Sequence, residues 1–235
     1  MELNEEKTKI IKFGRNPNNR GAKFNIDNYL VECVESFKYL GVTVNSSNVE
    51  DTEIQSKIAN ANKCLGACTK LLSSRLLSRC TKLRIYKTIQ PVLLYGSETW
   101  VLSKKNEGRL MVFENKVLRK IFGPVNDEGE WRIRKNRELR DLYQDPDVVA
   151  VIKAKRLGWL GHVLRREEGS RLKEVYTAVP IGKRPLGRPK MRWYDQVQRD
   201  VRRCGGTVEL AADREAWKRM VYEAKNRLRF VAPQQ

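Results

Sequence analysis

The sequence predicts a mainly α-helical chain with a small N-terminal antiparallel β region, and three observations carry that reading. Residues 7–44 are short β-prone runs separated by turn residues. From Asp51 onward, apolar residues recur every three or four positions. Glycine and proline fall between the periodic stretches, where helices have to end. At 235 residues the chain can bury a sizeable core, as one large domain or two small ones.

In chain order, residues 7–13 form a β-prone run, followed by the turn-rich Asn16-Pro17-Asn18-Asn19-Arg20-Gly21. Residues 24–35 and 36–44 read as two further strands, and the three together as a small antiparallel sheet. The stripe Ile54, Ile58, Ala61, Leu65, Cys68 and Leu72 then marks a helix that Asp51 or Thr52 can cap. A second helix starts near Ser78, with Leu83, Tyr86, Ile89 and Leu93 inward and Pro91 expected to kink or break it. A third, over 106–122, places Leu110, Phe113, Val117 and Ile121 on one face before Gly123-Pro124. Together these three helices suggest a bundle.

Residues 124–131 are rich in Gly, Pro and acid and read as a boundary between two helical units. Beyond it, 137–143, 147–166, 192–204 and 211–227 read as helices, with Gly158 and Gly161 weakening the second of these. The stretch 179–189 reads as an extended basic loop. The five tryptophans are spread through the chain, as core anchors usually are.

Lys plus Arg outnumber Asp plus Glu 47 to 28, giving +19 and a strong bias toward polyanionic partners, nucleic acid first. The excess is concentrated, with fifteen cations against five acids over residues 151–203. The five scattered cysteines argue against a disulfide framework and for a reducing, intracellular location, nuclear or cytoplasmic. Cys64 and Cys68 share a helix face without a second pair or a histidine, so buried small apolar residues are the plainer reading and no metal is expected. No run reaches the roughly 20 apolar residues of a membrane span.

The sequence holds no Gly-x-Ser-x-Gly elbow, no phosphate-binding Gly-rich Lys loop and no Asp-Asp pair. It therefore offers no obvious source for the metal-binding carboxylates of two-metal phosphoryl transfer. The single histidine, His162, has no catalytic partner at motif spacing and reads as structural or as a phosphate contact, together with Arg165 and Arg166. The segment Gly182-Lys183-Arg184-Pro185-Leu186-Gly187-Arg188-Pro189-Lys190-Met191-Arg192-Trp193 presents five cations without an acid on an extended backbone, as a phosphate-tracking arm requires. Trp193 and Tyr194 can add stacking on unpaired bases, though core packing is the simpler role for Trp193.

Asn4-Glu5-Glu6-Lys7-Thr8-Lys9 and Phe37-Lys38-Tyr39-Leu40-Gly41-Val42 are followed, in order, by Tyr95-Gly96-Ser97-Glu98-Thr99-Trp100, Leu160-Gly161-His162-Val163-Leu164-Arg165, Gly187-Arg188-Pro189-Lys190-Met191-Arg192-Trp193 and Ala212-Asp213-Arg214-Glu215-Ala216-Trp217. The first two resemble the end of the palm in reverse transcriptases of non-LTR (LINE-type) retrotransposons, and the other four resemble blocks downstream of that palm.

The resemblance implies three regions: 1–50 as a palm remnant, 51–123 as a thumb-like helical bundle, and 132–235 as a basic helical C-terminal unit with an extended arm at 179–191. It further implies that Lys7 lies near an incoming nucleotide's phosphates and that Phe37, Lys38, Tyr39, Leu40 and Gly41 form a primer-grip-like hairpin. The partners implied are RNA and an RNA–DNA or DNA duplex. The family's catalytic aspartates are expected upstream of Lys7, so polymerisation by this chain alone is not expected and magnesium would serve only that palm. Two alternatives remain open: an accessory part of a polymerase whose palm is a separate chain, and a non-catalytic interaction module or decayed fragment.

Overall fold

The computed structural model describes residues 4, 7–13, 22–26, 29–47, 50–178 and 191–229. It divides into two units, Met1–Lys57 and Ile58–Gln235.

The first unit is mostly β. Strands β1 (Lys23–Ile26) and β2 (Tyr29–Glu32) pair antiparallel, with Phe24 opposite Val31. Strands β3 (Ser36–Tyr39) and β4 (Val42–Asn45) form a second hairpin, with Phe37 opposite Val44. Each of the two strands expected over 24–35 and 36–44 is thus a hairpin, and the described strands make separate two-stranded ribbons rather than one sheet. The cause at the second turn is local: Leu40 and Gly41 both take positive φ, 47° and 79°, as a two-residue hairpin turn demands. Residues 7–13 contribute a single parallel bridge, Ile10 to Cys33, instead of a strand. Period-two alternation buries Val31 and Cys33 while leaving Leu30 and Glu32 exposed.

Helix α1 (Asp51–Ala67) begins in this unit and clasps the second hairpin. Glu53 Oε2 accepts the Thr43 N–H at 2.8 Å, and Lys57 Nζ donates to the Gly41 carbonyl at 2.9 Å. The pair sits one helical turn apart, 3.5 Å between charges, with both side chains buried.

In the second unit the apolar stripes land inward as their spacing dictates. Ala61, Leu65 and Leu72 are buried on α1 and α2 (Thr69–Ser73). Tyr86, Ile89 and Leu93 are buried on α3 (Arg79–Leu94), and Leu110, Phe113, Val117 and Ile121 on α4 (Lys104–Phe122). Ser78 caps α3 by accepting the Thr81 N–H, Ser103 caps α4 through Asn106, and Gly123 at φ 69° ends α4. Helix α3 runs through Pro91 to Leu94, so its end comes at Tyr95 rather than at the proline.

Residues 124–131 are not merely a linker: β5 (Val125–Asp127) and β6 (Glu130–Arg132) form a third hairpin. It is braced by Arg132, which reaches Asp127 at 2.6 Å and Glu138 at 2.7 Å. The Arg132 guanidinium holds the Glu138 carboxyl down at about 2. Trp131 on this two-stranded ribbon is 71% exposed, correcting its expected place in a core: a lone two-stranded ribbon buries little of either face by itself.

Helices α5 (Asn136–Tyr143), α6 (Val148–Leu164), α8 (Trp193–Arg203) and α9 (Arg214–Arg227) follow the expected order, and α7 (Arg171–Thr177) is an addition. Seven residues carry too little periodicity to register as a helix from sequence. A second core forms where Leu157 and Leu160 of α6 meet Val197 and Val201 of α8 and Trp217 and Ala224 of α9.

Between α3, α4 and the start of α6 lies a buried carboxyl. Glu114 of α4 accepts from the Tyr86 hydroxyl at 2.9 Å and from the Val148 N–H at 3.1 Å. Burial outweighs those bonds and pushes its pKa up to about 7. The native state therefore holds this proton more tightly than the unfolded chain, and the stability it contributes is full in acid and lost as pH rises from about 4.5 toward 7. Urea titrations at about pH 5 and 8 should show the natural protein losing roughly 2 to 3 kcal/mol relative to Glu114→Gln, whose neutral amide keeps the shape of the protonated acid. Parallel pH profiles for the two proteins would contradict this.

Candidate nucleic-acid interface

The predicted interface residues fall on several elements. In the first unit, Tyr39 and Leu40 stand at the tip of the β3–β4 hairpin, 62% and 72% exposed, with Lys38 also exposed and Phe37 half-buried. Gly41 is the turn residue whose carbonyl Lys57 holds. A fixed hairpin thus presents two apolar side chains and a cation outward. Lys7 is exposed in a turn closed by its own N–H on Asn4 Oδ1 at 3.0 Å.

In the second unit, His162 is exposed on α6 and stacks on Trp159 one turn earlier, ring centroids 5.2 Å apart and 26° from parallel. Arg165 donates from Nη1 to the Ala211 carbonyl at 3.0 Å, and Arg166 is exposed at the end of the helix. Lys183, Arg184, Arg188 and Lys190 lie outside the described residues. Arg192 is exposed at the start of α8. Trp193 is half-buried and donates from Nε1 to the Glu98 carbonyl at 2.8 Å, so one edge of its ring is committed to structure.

Helix α8 separates its faces by chemistry. Gln196, Val197, Asp200 and Val201 point inward; Arg199, Arg202 and Arg203 are exposed on the other side. The inward face is held by a polar crossing that periodicity alone does not reveal. Arg156 of α6, 1% exposed, donates from Nη2 to Asp200 Oδ2 at 2.5 Å and from Nη1 to Gln196 Oε1 at 2.6 Å and to the Trp100 carbonyl at 3.1 Å. Gln196 in turn exchanges two bonds with the Leu102 backbone, at 3.0 and 2.6 Å. Burial works against the charged guanidinium and Asp200 beside it works for it. One turn away, Lys153 meets Glu107 of α4 at 2.7 Å, both side chains buried. The signal in the sequence is Lys153 and Arg156 lying at helical spacing on an otherwise apolar stripe with Ile152, Leu157 and Leu160.

The downstream sequence blocks pack on one another. The segment from Gly96 to Trp100 supplies the carbonyls of Glu98 and Trp100 to Trp193 and Arg156. Gly161 abuts Trp217, and Asp213 caps the helix that carries Trp217 by accepting the N–H groups of Glu215 and Ala216. Trp217 Nε1 donates to the Leu157 carbonyl at 3.0 Å.

The charge partition is the broadest feature of the site. Among the described residues the buried charges are five acids (Glu53, Glu107, Glu114, Asp147, Asp200) and four bases (Lys57, Lys82, Lys153, Arg156). The interior of the described residues is thus close to neutral, and their positive excess lies outside it.

A basic, mainly helical chain with a fixed hairpin and an arginine-faced helix is the class these features define. It is 26% identical over 236 residues to an uncharacterized transposon-derived protein of Caenorhabditis elegans, an alignment spanning 92% of this chain and 81% of that protein. No family model matches the chain. No solved structure matches it either.

Two glycines of α6 separate packing from mere helix propensity. A methyl added at Gly161 would run into the indole Nε1 of Trp217, whereas one added at Gly158 meets nothing within 4 Å. Gly161→Ala should cost at least the roughly 1 to 3 kcal/mol of overpacking. Gly158→Ala should be neutral or stabilise by up to about 1 kcal/mol. Equal shifts in their denaturation midpoints would show that Gly161 is not a contact glycine.

Proposed function

We propose that this chain is a strand-holding part of a retrotransposon reverse transcriptase, binding RNA or an RNA–DNA duplex through its cations while the catalytic carboxylates come from outside residues 1–235. The observation that carries the reading is the charge partition: a near-neutral interior and a chain total of +19 leave a surface fit for polyphosphate. Similarity to a transposon-derived protein over nearly the whole chain supports a mobile-element origin. The ordered palm-end and downstream blocks favour the non-LTR kind.

In this reading the hairpin tip, with Lys38, Tyr39 and Leu40, lies against the primer strand. Lys7, His162, Arg165, Arg166, Lys183, Arg184, Arg188, Lys190 and Arg192 serve phosphates. Trp193 helps to hold α8 in place. An A-form duplex hides its base edges in a deep groove, so recognition rests on shape and charge more than on sequence.

The test is a salt titration of binding to an RNA–DNA duplex. With about five phosphates neutralised, log K should fall with log salt at a slope of roughly −3.5 to −4.5, and sequence should matter little. A flat titration, or no binding at low salt, would remove the proposal. Primer extension with the purified chain, alone and with a supplied palm, distinguishes strand holding from catalysis; unaided DNA synthesis would contradict the division of labour.

A further inference from the structure

Residues 58–97 of the second unit carry seven cations and no acid. Lys82 is buried and Lys87 pairs with Asp145 at 2.8 Å. Lys63, Lys70, Arg75, Arg79 and Arg84 are exposed, and among the described residues none of them meets a carboxylate. Even the neighbouring lysines of α4 reach neutral oxygens: Lys116 donates to Asn62 Oδ1 at 3.2 Å and Lys120 to Thr69 Oγ1 at 3.0 Å. The counter-charge of this face is left to solvent ions or to a partner.

The corner between α2 and α3 adds a shape to that charge. Leu76, in the loop joining the two helices, is 96% exposed, and Leu71 of α2 is 50% exposed. The loop is tied along its length. The Ser74 N–H donates to the Leu71 carbonyl at 3.2 Å, the Leu76 N–H to Ser74 Oγ at 3.2 Å, and Ser78 Oγ accepts the Thr81 N–H at 3.1 Å. A lone exposed leucine is ordinary on a protein surface. This one is held at a fixed tip between Arg75 and Arg79, with the nearest acids in sequence at Glu53 and Glu98. An apolar protein pocket would take the leucine and leave the cations unmatched. An anionic bilayer would match the cations but calls for a broad apolar face, and within residues 69–80 the only exposed large apolar side chains are Leu71 and Leu76. A duplex meets both demands, because phosphates flank a stack of flat apolar bases on either side. The minor groove of an A-form duplex is wide and shallow, so a loop tip reaches its floor.

We infer that the α2–α3 corner is a minor-groove wedge: Leu76 inserts between neighbouring base pairs of a bound duplex while Lys70, Arg75 and Arg79 hold the phosphates beside it. The inference rests on the nucleic-acid reading above and deepens it, since charge alone holds a duplex with its stacking intact, whereas a wedge partly unstacks and kinks it. Leu76 is the side chain to change, because its exposure separates its role from the stability of the fold.

The test uses the full chain and an RNA–DNA duplex of about eighteen base pairs whose DNA strand carries several 2-aminopurines, which fluoresce when unstacked. Binding of the natural chain should raise that fluorescence. Leu76→Ala should abolish the rise while affinity stays within about threefold, because the phosphate contacts remain, and Leu76→Met, still able to wedge, should keep it. Arg75→Ala combined with Arg79→Ala should instead weaken duplex binding and flatten its salt slope by roughly 1.5 to 2. If the duplex binds without a rise in fluorescence, if the rise survives in Leu76→Ala, or if the double arginine variant binds unchanged, the wedge falls while the duplex reading stands. If the natural chain does not bind the duplex at low salt, both fall. Binding to anionic phospholipid vesicles that is tighter than to the duplex and is lost in Leu76→Ala would give the corner to a lipid surface and overturn the inference as well.

Discussion

The arrangement of the second unit depends on one buried guanidinium. Arg156 lies on the buried face of α6, and its charge is held there by Asp200, Gln196 and the Trp100 carbonyl, which accept from its two Nη groups. A buried ion pair of this kind adds little net stability over a well-packed apolar substitute, but it tolerates few alternative registers. Helix α8 therefore has one way to lie on α6. With Gln196 and Asp200 turned inward, helical geometry turns Arg199, Arg202 and Arg203 outward and brings Trp193 to Glu98 and Tyr194 to Tyr176 of α7. An interior polar contact thus sets the position of the surface cations.

The same logic operates on a smaller scale in the first unit. Glu53 and Lys57 hold the turn of the β3–β4 hairpin from within, so that its tip residues are presented without support of their own. In both units the buried acids that fix register are matched by buried bases, Glu53 by Lys57, Glu107 by Lys153 and Asp200 by Arg156, so these contacts leave the positive excess of the described residues on the surface.

The helices are legible in the sequence because their stripes are long and their ends are punctuated; Ser78 and Asp147 cap at the predicted starts and Gly123 ends α4. The hairpins are not, because a turn such as Leu40-Gly41 lacks the Asn-Gly or Asp-Gly signature that would divide a long β-prone run in two. Helix α7 is too short to show a period, and the exposure of Trp131 follows from its place on a two-stranded ribbon, which composition does not encode. The candidate interface is legible as residue types and as ordered blocks, and Lys183, Arg184, Arg188 and Lys190 lie outside the described residues. The contact of Tyr176 with Tyr194 is not legible, since it joins α7 to α8 and arises only through the fold.

If a neutral, tightly registered interior holds a basic exterior against a nucleic-acid strand, the footprint of that strand should be confined to the outward-facing elements. Hydrogen–deuterium exchange with and without a bound RNA–DNA duplex reads that footprint. Exchange should slow at the β3–β4 hairpin, at the end of α6 and at the start of α8, with the buried helix α4 unchanged. Protection restricted to α4, or none anywhere under conditions where the duplex is bound, would refute this picture.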